Sequence, residues 1–428
     1  MSSFRSVVRS TLATLPGASR GFRYIYFLKE RAKHRAVVQA LGTTANVDTS
    51  RARNIPLLIG YLELGLGLGQ YARGLATSLD AVGFPFSVYP YRAFTDRNPV
   101  NTSWRHRYDV TNNHSVNVFC MAADQTKLAR RIIGEHKTRS SYNILSTFWE
   151  LARAPEAWRN DLTFFDEIWA PNTFVADAFR PIFKKEICIV PPCVQLDAPT
   201  VANRSQFGLS DNIFYFLFSF DYNSHPVRKN PLAVINAFKR AFAINQRNVG
   251  LVVKVNGNPR KFPDLRDKLR DECACDPRIA TIHEEMGRDR ILSLFAGIDC
   301  YVSLHRSEGF GLGMAEAMLL NKPVIGTDYS GNTDFLTEAT GLPVPFHFRE
   351  VGNDYPNGDG QRWAEADVEI AATFMQQVFD NPENTRRRAE AGQKLISSAF
   401  GANTCGRIAA ARLQLRLTDS ALSGSRPR

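Results

Sequence analysis

The chain has 428 residues, 44% of them hydrophobic and 22% charged, with a formal net charge of +11. That length exceeds one ordinary core and points to two domains with an appended segment. The charge is unevenly placed: residues 1–54 hold ten Lys/Arg and two acids, leaving a net of +3 on the rest, which argues against a nucleic-acid-binding face on the folded body.

The leader, residues 1–53, mixes Phe4, Val7, Val8, Phe22, Tyr24, Ile25, Tyr26, Phe27 and Leu28 with Arg and Lys. Such a mixture suits an anionic membrane surface, where each base near the headgroups adds on the order of 1 kcal/mol and aromatic rings enter the interface. A solvated flexible leader is the competing reading, and a transit peptide a third, since acids are absent before Glu30. No uncharged run approaches the ~20 residues that span a bilayer, and Arg9 interrupts the only apolar core a secretory signal could use. The seven cysteines show no paired C-x-x-C framework, which points to reduced thiols. The expected location is therefore the cytoplasm, with contact to the inner membrane face if the leader binds there.

The first domain is expected over 54–194. Asn54 to Gly60 reads as a buried strand, Gly65-Leu66-Gly67-Leu68-Gly69 follows it, and Gln70 to Leu79 is helical. Gly67 and Gly69 suit a ligand loop, or a turn that only lets helix and strand pack closely. Val116 to Met121 and Asn143 to Thr147 read as further strands. Trp149 and Glu150 then stand at the carboxyl end of a parallel strand, where open α/β sheets place ligand-binding groups. Both are candidates to touch a sugar or an acceptor, while a helix-start or salt-bridged glutamate explains Glu150 as well. His106 and His114 lie in polar loop sequence with no motif around them.

Residues 195–211 are polar and aperiodic and form the expected linker. The second domain is expected over 212–383, with strands at Asn212 to Phe220, Val249 to Val255 and Ile279 to Ile282. Helices alternate with them at Pro231 to Ala243, Asp264 to Glu272 and Arg288 to Ala296, a pattern that means a doubly wound parallel sheet. Arg228 and Lys229 lie between the first strand and its helix, and Lys254 is a charge inside a strand, which needs a partner. Cys300 to Leu304 is another strand, and Gly309, Gly311 and Gly313 open a turn before the helix-forming Met314 to Leu320. A glycine-lined loop at a helix start is an anion site, because exposed N–H groups and the helix dipole face whatever sits above it. The flanking Glu308 and Glu316 repel a phosphate, but an ionised carboxylate accepts hydrogens from sugar hydroxyls. Lys322 to Thr327 and Ser330-Gly331-Asn332 repeat the strand-loop plan. Trp363 to Asp367 is read as a helix start, residues 384–417 as a basic amphipathic helical stretch, and 418–428 as a disordered tail.

Glu308-Gly309-Phe310-Gly311 through Glu316, with Lys-Pro-Val-Ile-Gly-Thr and Ser-Gly-Asn after it, resembles the hallmark of the family-4 retaining glycosyltransferases of the GT-B fold. The resemblance implies two Rossmann-like domains facing a cleft, with the final helix crossing back onto the first domain. It implies that Lys229 reaches a donor diphosphate, that Glu316 binds ribose hydroxyls and that Glu308 binds the donor sugar. The donor site would be lined by Gly309, Phe310, Gly311, Leu312 and Gly313, with Gly67, Gly69 and Lys254. The family's upstream arginine is replaced by Ser219, Phe220 or Asp221; Arg228 is the candidate substitute, against which stands the usual divergence of adjacent side chains. No Asp-x-Asp pair is present, so neither metal nor cofactor is expected; the partners are a nucleotide-sugar and a glycan or lipid-linked saccharide. The rival readings are a sugar-nucleotide epimerase, a phosphorylase, whose long motifs are missing, and a non-catalytic partner of a glycosyltransferase.

Overall fold

The computed structural model describes residues 27–36, 39, 54–93, 99–111, 113–134, 138–196 and 201–423. Its first sheet contains β1 (Leu57–Gly60), β2 (Ser87–Pro90), β3 (Val116–Cys120), β4 (Tyr142–Ser146), β5 (Glu167–Ala170) and β6 (Glu186–Ile189), in the order β2-β1-β3-β4-β5-β6. The second contains β7 (Phe214–Asp221), β8 (Val249–Asn256), β9 (Ile279–His283), β10 (Cys300–Ser303), β11 (Val324–Thr327) and β12 (Leu342–Val344), in the order β12-β11-β10-β7-β8-β9. Every pairing within these two sheets is parallel. Helices cover both faces, so the central strands are buried on both sides and read as continuous apolar runs, Leu57-Leu58-Ile59 and Phe216-Leu217-Phe218. This is the GT-B arrangement of two doubly wound α/β units that the resemblance implies.

The strand orders fix where ligands bind. Order reverses between β1 and β3 in the first sheet and between β7 and β10 in the second, and a crevice opens at the carboxyl ends of the strands at such a point. In the second sheet, the crevice lies between the loop carrying Arg228 and Lys229 and the loop carrying Glu308.

Two expectations about the chain's later part are corrected, the helix start at Trp363 and the disordered tail from 418, and the helical stretch from 384 is resolved into two helices. Trp363 to Asp367 does not start a helix: Arg362–Ala366 is a strand, β14, paired antiparallel with β13 (Phe346–Glu350). Alanine and glutamate favour a helix, but the fully buried Trp363 packs in the first domain's apolar cluster with Val351 and Tyr355, and tertiary burial outweighs weak propensity. Asp367 then caps the next helix, its Oδ1 accepting from the Glu369 and Ile370 N–H groups at 2.9 and 3.0 Å. The stretch from 384 is two helices, Pro382–Ala399 and Ala402–Ser423, with the chain turning at Phe400 and Gly401. The second of these runs to Ser423, into the expected disordered tail.

That last helix crosses onto the first domain. Its Cys405, Ala409 and Leu413 are buried, the latter two in a cluster with Leu75, Ala76 and Leu79 of the Gly67–Ala81 helix. Gly406 permits the approach, since a Cβ there would come within 2.8 Å of the Ser78 carbonyl carbon. Charge fixes the register: the fully buried Glu167 accepts from Arg412 Nε at 2.6 Å and from Arg416 Nε at 3.0 Å.

Of the basic leader, residues 27–36 are helical, with Glu30 and His34 buried. His34 Nε2 is 3.0 Å from the Tyr89 hydroxyl, and burial lowers its pKa to about 4. This turn of the leader therefore packs on the first domain; the remaining proposed membrane-surface residues lie outside those described. Among the described residues no helix is long and apolar enough to cross a membrane. All seven cysteines are free thiols.

Candidate functional site

After β7 the chain makes a single helical turn, Pro226–Lys229, between His225 (φ 55°) and Asn230 (φ 52°). Left-handed backbone at non-glycine residues costs about 1–3 kcal/mol each and persists only where surroundings enforce it. Arg306 does so here, its Nη1 donating to Val227 O at 2.6 Å and its backbone N–H to Arg228 O at 2.7 Å. Asn230 Nδ2 donates to Glu365 Oε1 at 2.8 Å, and Glu365 Oε2 accepts from Arg306 Nε at 2.8 Å.

The turn aims both cations at one carboxylate. Lys229 Nζ pairs with Glu308 Oε1, and Arg228 Nη1 lies 3.0 Å from Glu308 Oε2. Burial opposes charge on Glu308, yet Lys229 and Arg228 outweigh it and hold its pKa well below the usual carboxylate range. The main chain of Glu308 is fixed by the next loop: its N–H donates to Ser330 Oγ at 2.8 Å, and its carbonyl accepts from Gly331 N at 2.9 Å. Ser330 is itself left-handed, at φ 74°.

The glycines of the hallmark loop do different things. Gly309 lies against Phe148 and the Trp149 carbonyl of the first domain. Gly311, at φ 94°, is the N-cap of the Leu312–Leu319 helix, whose first turn receives no side-chain cap. Gly313 lets the helix sit on Tyr301, whose hydroxyl would be 2.7 Å from a Cβ there. Phe310 is buried against Phe335 and Phe400, and Leu312 packs on the same cluster. Glu316 is nearly buried on the second turn, with Arg288 Nη1 2.7 Å from its Oε1.

Other expected site residues are brought together less closely. Lys254 is buried in β8, its ammonium bound to Asn256 Oδ1 and to Glu284 O at 2.8 Å. Ser219, at the place of the missing arginine, hydrogen-bonds Tyr301 at 3.0 Å. In the first domain, Gly69 fills a packing role, since a Cβ there would come within 2.7 Å of Tyr61 O, whereas nothing lies within 4 Å of a Cβ on Gly67. The Trp149 indole donates to Arg153 O at 2.9 Å and packs edge-on against Trp158 in the core. Glu150 Oε2 accepts from the Tyr355 hydroxyl at 2.8 Å, and its Oε1 is 3.5 Å from Arg228 Nη2. His106 bonds Ser103 O, and His114 is buried on Asp109 and Ile55 O.

Several residues around the site were given no role by the sequence. Asn172 Nδ2 reaches from the first domain to Gly309 O at 2.7 Å and Gly331 O at 3.2 Å, and Gly331 leaves room for it. Fully buried His305 bonds Asn332 Oδ1 at 2.9 Å, fixing the loop after β11. Arg288 and Tyr355 lie in stretches without motif. Among the described residues, one trio has metal-ligand chemistry and spacing, Glu167, Glu186 and Cys188; Arg412 and Arg416 pair with both of its carboxylates.

Residues 216–353 match the family model described as Glycosyl transferases group 1, so the hallmark's resemblance to glycosyltransferases is borne out over that part of the chain. No curated protein matches the chain. Among solved structures, sucrose-phosphate synthase from Thermosynechococcus elongatus is 14% identical with a TM-score of 0.62, over 87% of this chain and all of that one. HepE from Anabaena, in complex with UDP and glucose, is 12% identical with a TM-score of 0.59, over 84% and 99%. The pneumococcal O-GlcNAc transferase GtfA, in complex with UDP and GlcNAc, is 12% identical with a TM-score of 0.51, over 72% and 57%, so the chain spans little more than half its length. At these identities the likeness is one of fold.

Proposed function

We propose that the protein is a metal-independent glycosyltransferase that moves a sugar from a nucleotide-diphosphate donor to a glycan or lipid-linked acceptor, retaining the anomeric configuration. The observation that carries the reading is the convergence of Lys229 and Arg228 on Glu308 beside an uncapped helix start, at the switch point of the second sheet. The family match over 216–353 and the UDP-bound neighbours support it.

Transfer breaks the bond between the anomeric carbon and a phosphate oxygen and forms one to an acceptor oxygen. Negative charge builds on the leaving diphosphate, and fixed positive groups lower the barrier where it builds. Lys229 supplies one such group, and the open N–H groups at Leu312 and Gly313 supply others. Glu308, kept ionised, accepts from donor-sugar hydroxyls, and Glu316 accepts from the ribose. The acceptor's proton passes to the leaving phosphate oxygen, so the step needs no side-chain nucleophile.

The test is nucleotide release by the purified protein from UDP-, GDP-, ADP- and dTDP-glucose, with and without EDTA, beside Glu316→Ala and Lys229→Ala. Release from one donor, unchanged by EDTA and lost in both variants, supports the reading. Release that needs a divalent ion refutes metal independence, and neither release nor binding from any donor leaves the non-catalytic partner. An NMR assignment of the product anomer tests retention.

A further inference from the structure

The segment after β12 belongs to the second half of the sequence but buries Val351, Tyr355 and Trp363 in the first domain's apolar cluster, alongside Trp149, Leu151 and Phe165. Arg153 N donates to Gln361 Oε1 at 3.0 Å, which ties the same segment to the loop after β4. Tyr355 thus reaches Glu150 from the far side of the domain boundary, with its ring packed on Trp149 and His225 at centroid distances of 5.7 and 4.8 Å.

Glu150 spends its oxygens on this boundary. Oε2 takes the Tyr355 hydroxyl, Oε1 faces Arg228, and its backbone carbonyl accepts from Ser307 Oγ. Arg228 is equally committed. Its Nε donates to Ser224 O at 3.1 Å and its Nη1 to Ser307 O at 3.1 Å, leaving the two forks on Glu308 and Glu150. A planar guanidinium serves two carboxylates from two domains in a fixed fork geometry, which a lysine's freely rotating ammonium does not impose. Ser224, Ser307, Glu308 and Glu150 together hold the guanidinium in place at the boundary.

We infer that Tyr355 and Glu150 are positioning residues for Glu308: they hold the Arg228 guanidinium against it across the domain boundary, so that the donor-facing carboxylate is aligned by the juxtaposition of the two sheets. The effect on turnover rests on the glycosyltransferase reading; the mechanical coupling does not. Members of one buried hydrogen-bond network act as a unit, so deleting a second member after the first changes little.

The experiment compares Tyr355→Phe, Glu150→Gln and the double variant of the full chain. Turnover is read as kcat and KM for whichever of the four nucleotide-glucoses the wild type uses, and mobility as amide hydrogen exchange of residues 303–309. The inference expects each single variant to lose about tenfold in kcat with KM within about twofold, the double variant to match the worse single, and exchange over 303–309 to rise equally in all three. Losses that multiply to about a hundredfold in the double variant overturn it. So does a rise in KM alone, which would make Glu150 a direct sugar contact. If the wild type turns over no donor, the functional reading fails by itself; unchanged exchange over 303–309 would then still overturn the coupling, and a shared rise would uphold it.

Discussion

Replacing Glu167 with leucine tests whether charge fastens the last helix to the first sheet. The carboxylate accepts from Arg412 Nε and Nη2 at 2.6 and 3.1 Å, Arg416 Nε at 3.0 Å, Trp169 Nε1 at 2.8 Å and the Tyr142 hydroxyl at 3.0 Å. Breaking a buried ion pair by removing one partner costs about 3–5 kcal/mol. Here the arginine side chains are 18% and 13% exposed and keep Glu186, so the low end applies, and two orphaned neutral donors add about 1 kcal/mol. The expected loss is about 4 kcal/mol, or a melting midpoint lower by roughly 10 °C for a domain of this size. Burial opposes the charge on Glu167, but Arg412 and Trp169 outweigh it and lower the pKa. The group's contribution is therefore complete above the unfolded value of 4.5 and is lost as pH falls through the lower folded value. Glu167→Leu should show a smaller acid decline than the wild type. The assay is tryptophan fluorescence on heating at a fixed scan rate, at neutral pH and below 4.5, comparing first transitions because two domains need not melt together. A neutral-pH midpoint within 2 °C of the wild type (on the order of 0.5–1 kcal/mol) would refute this account.

The two loop glycines should separate packing from binding. Gly69→Ala drives a Cβ towards the Tyr61 carbonyl and should lower the melting midpoint by several degrees, whereas Gly67→Ala meets nothing and should leave it unchanged; calorimetry of both variants checks this. Gly311→Ala forces alanine to φ 94° with its Cβ 2.5 Å from Met314 Cε, at a cost of at least about 1–2 kcal/mol, visible as a lower urea midpoint. Lys229→Met removes one of the two cations that depress the Glu308 pKa, so the acid limb of the pH–rate profile should move to higher pH while kcat falls about a hundredfold. An unmoved limb would show that Glu308 ionisation does not limit the reaction.

The parts of the fold legible in the sequence are those whose signal is local. Strands β1, β3, β7 and β8 are largely buried on both faces and show as apolar runs, interrupted by Asn117 in β3, Ser219 in β7 and Lys254 in β8; Glu308 and Glu316 show because one loop and one helix carry both. Strand β14 did not show, since Trp-Ala-Glu-Ala favours a helix by propensity and only its pairing with β13, together with burial of Trp363, overrules that. Tyr355 is 205 residues from the Glu150 it binds, a separation no periodicity encodes. Adjacent Arg228 and Lys229 would diverge in most backbones. They converge because the turn between two left-handed residues rotates both towards Glu308, and the demand for φ > 0 at His225 and Asn230 leaves little trace in the residue types.

This convergence divides the work between the two cations. Glu308 carries one negative charge and faces two positive ones, and on the proposed reading a nucleotide diphosphate arriving at the site competes for them. Were both to transfer to the diphosphate, Glu308 would be left charged and buried without a partner, at a cost of several kcal/mol. Arg228 is held by Ser224, Ser307 and Glu150 as well as Glu308, whereas Lys229 has a flexible stem and, among the described residues, pairs with Glu308 alone. On the proposed reading, Lys229 is the cation that exchanges to the leaving group and Arg228 is the one that stays. The missing upstream arginine then costs the site little, because Arg228 stabilises the carboxylate and so frees the lysine to follow the phosphate.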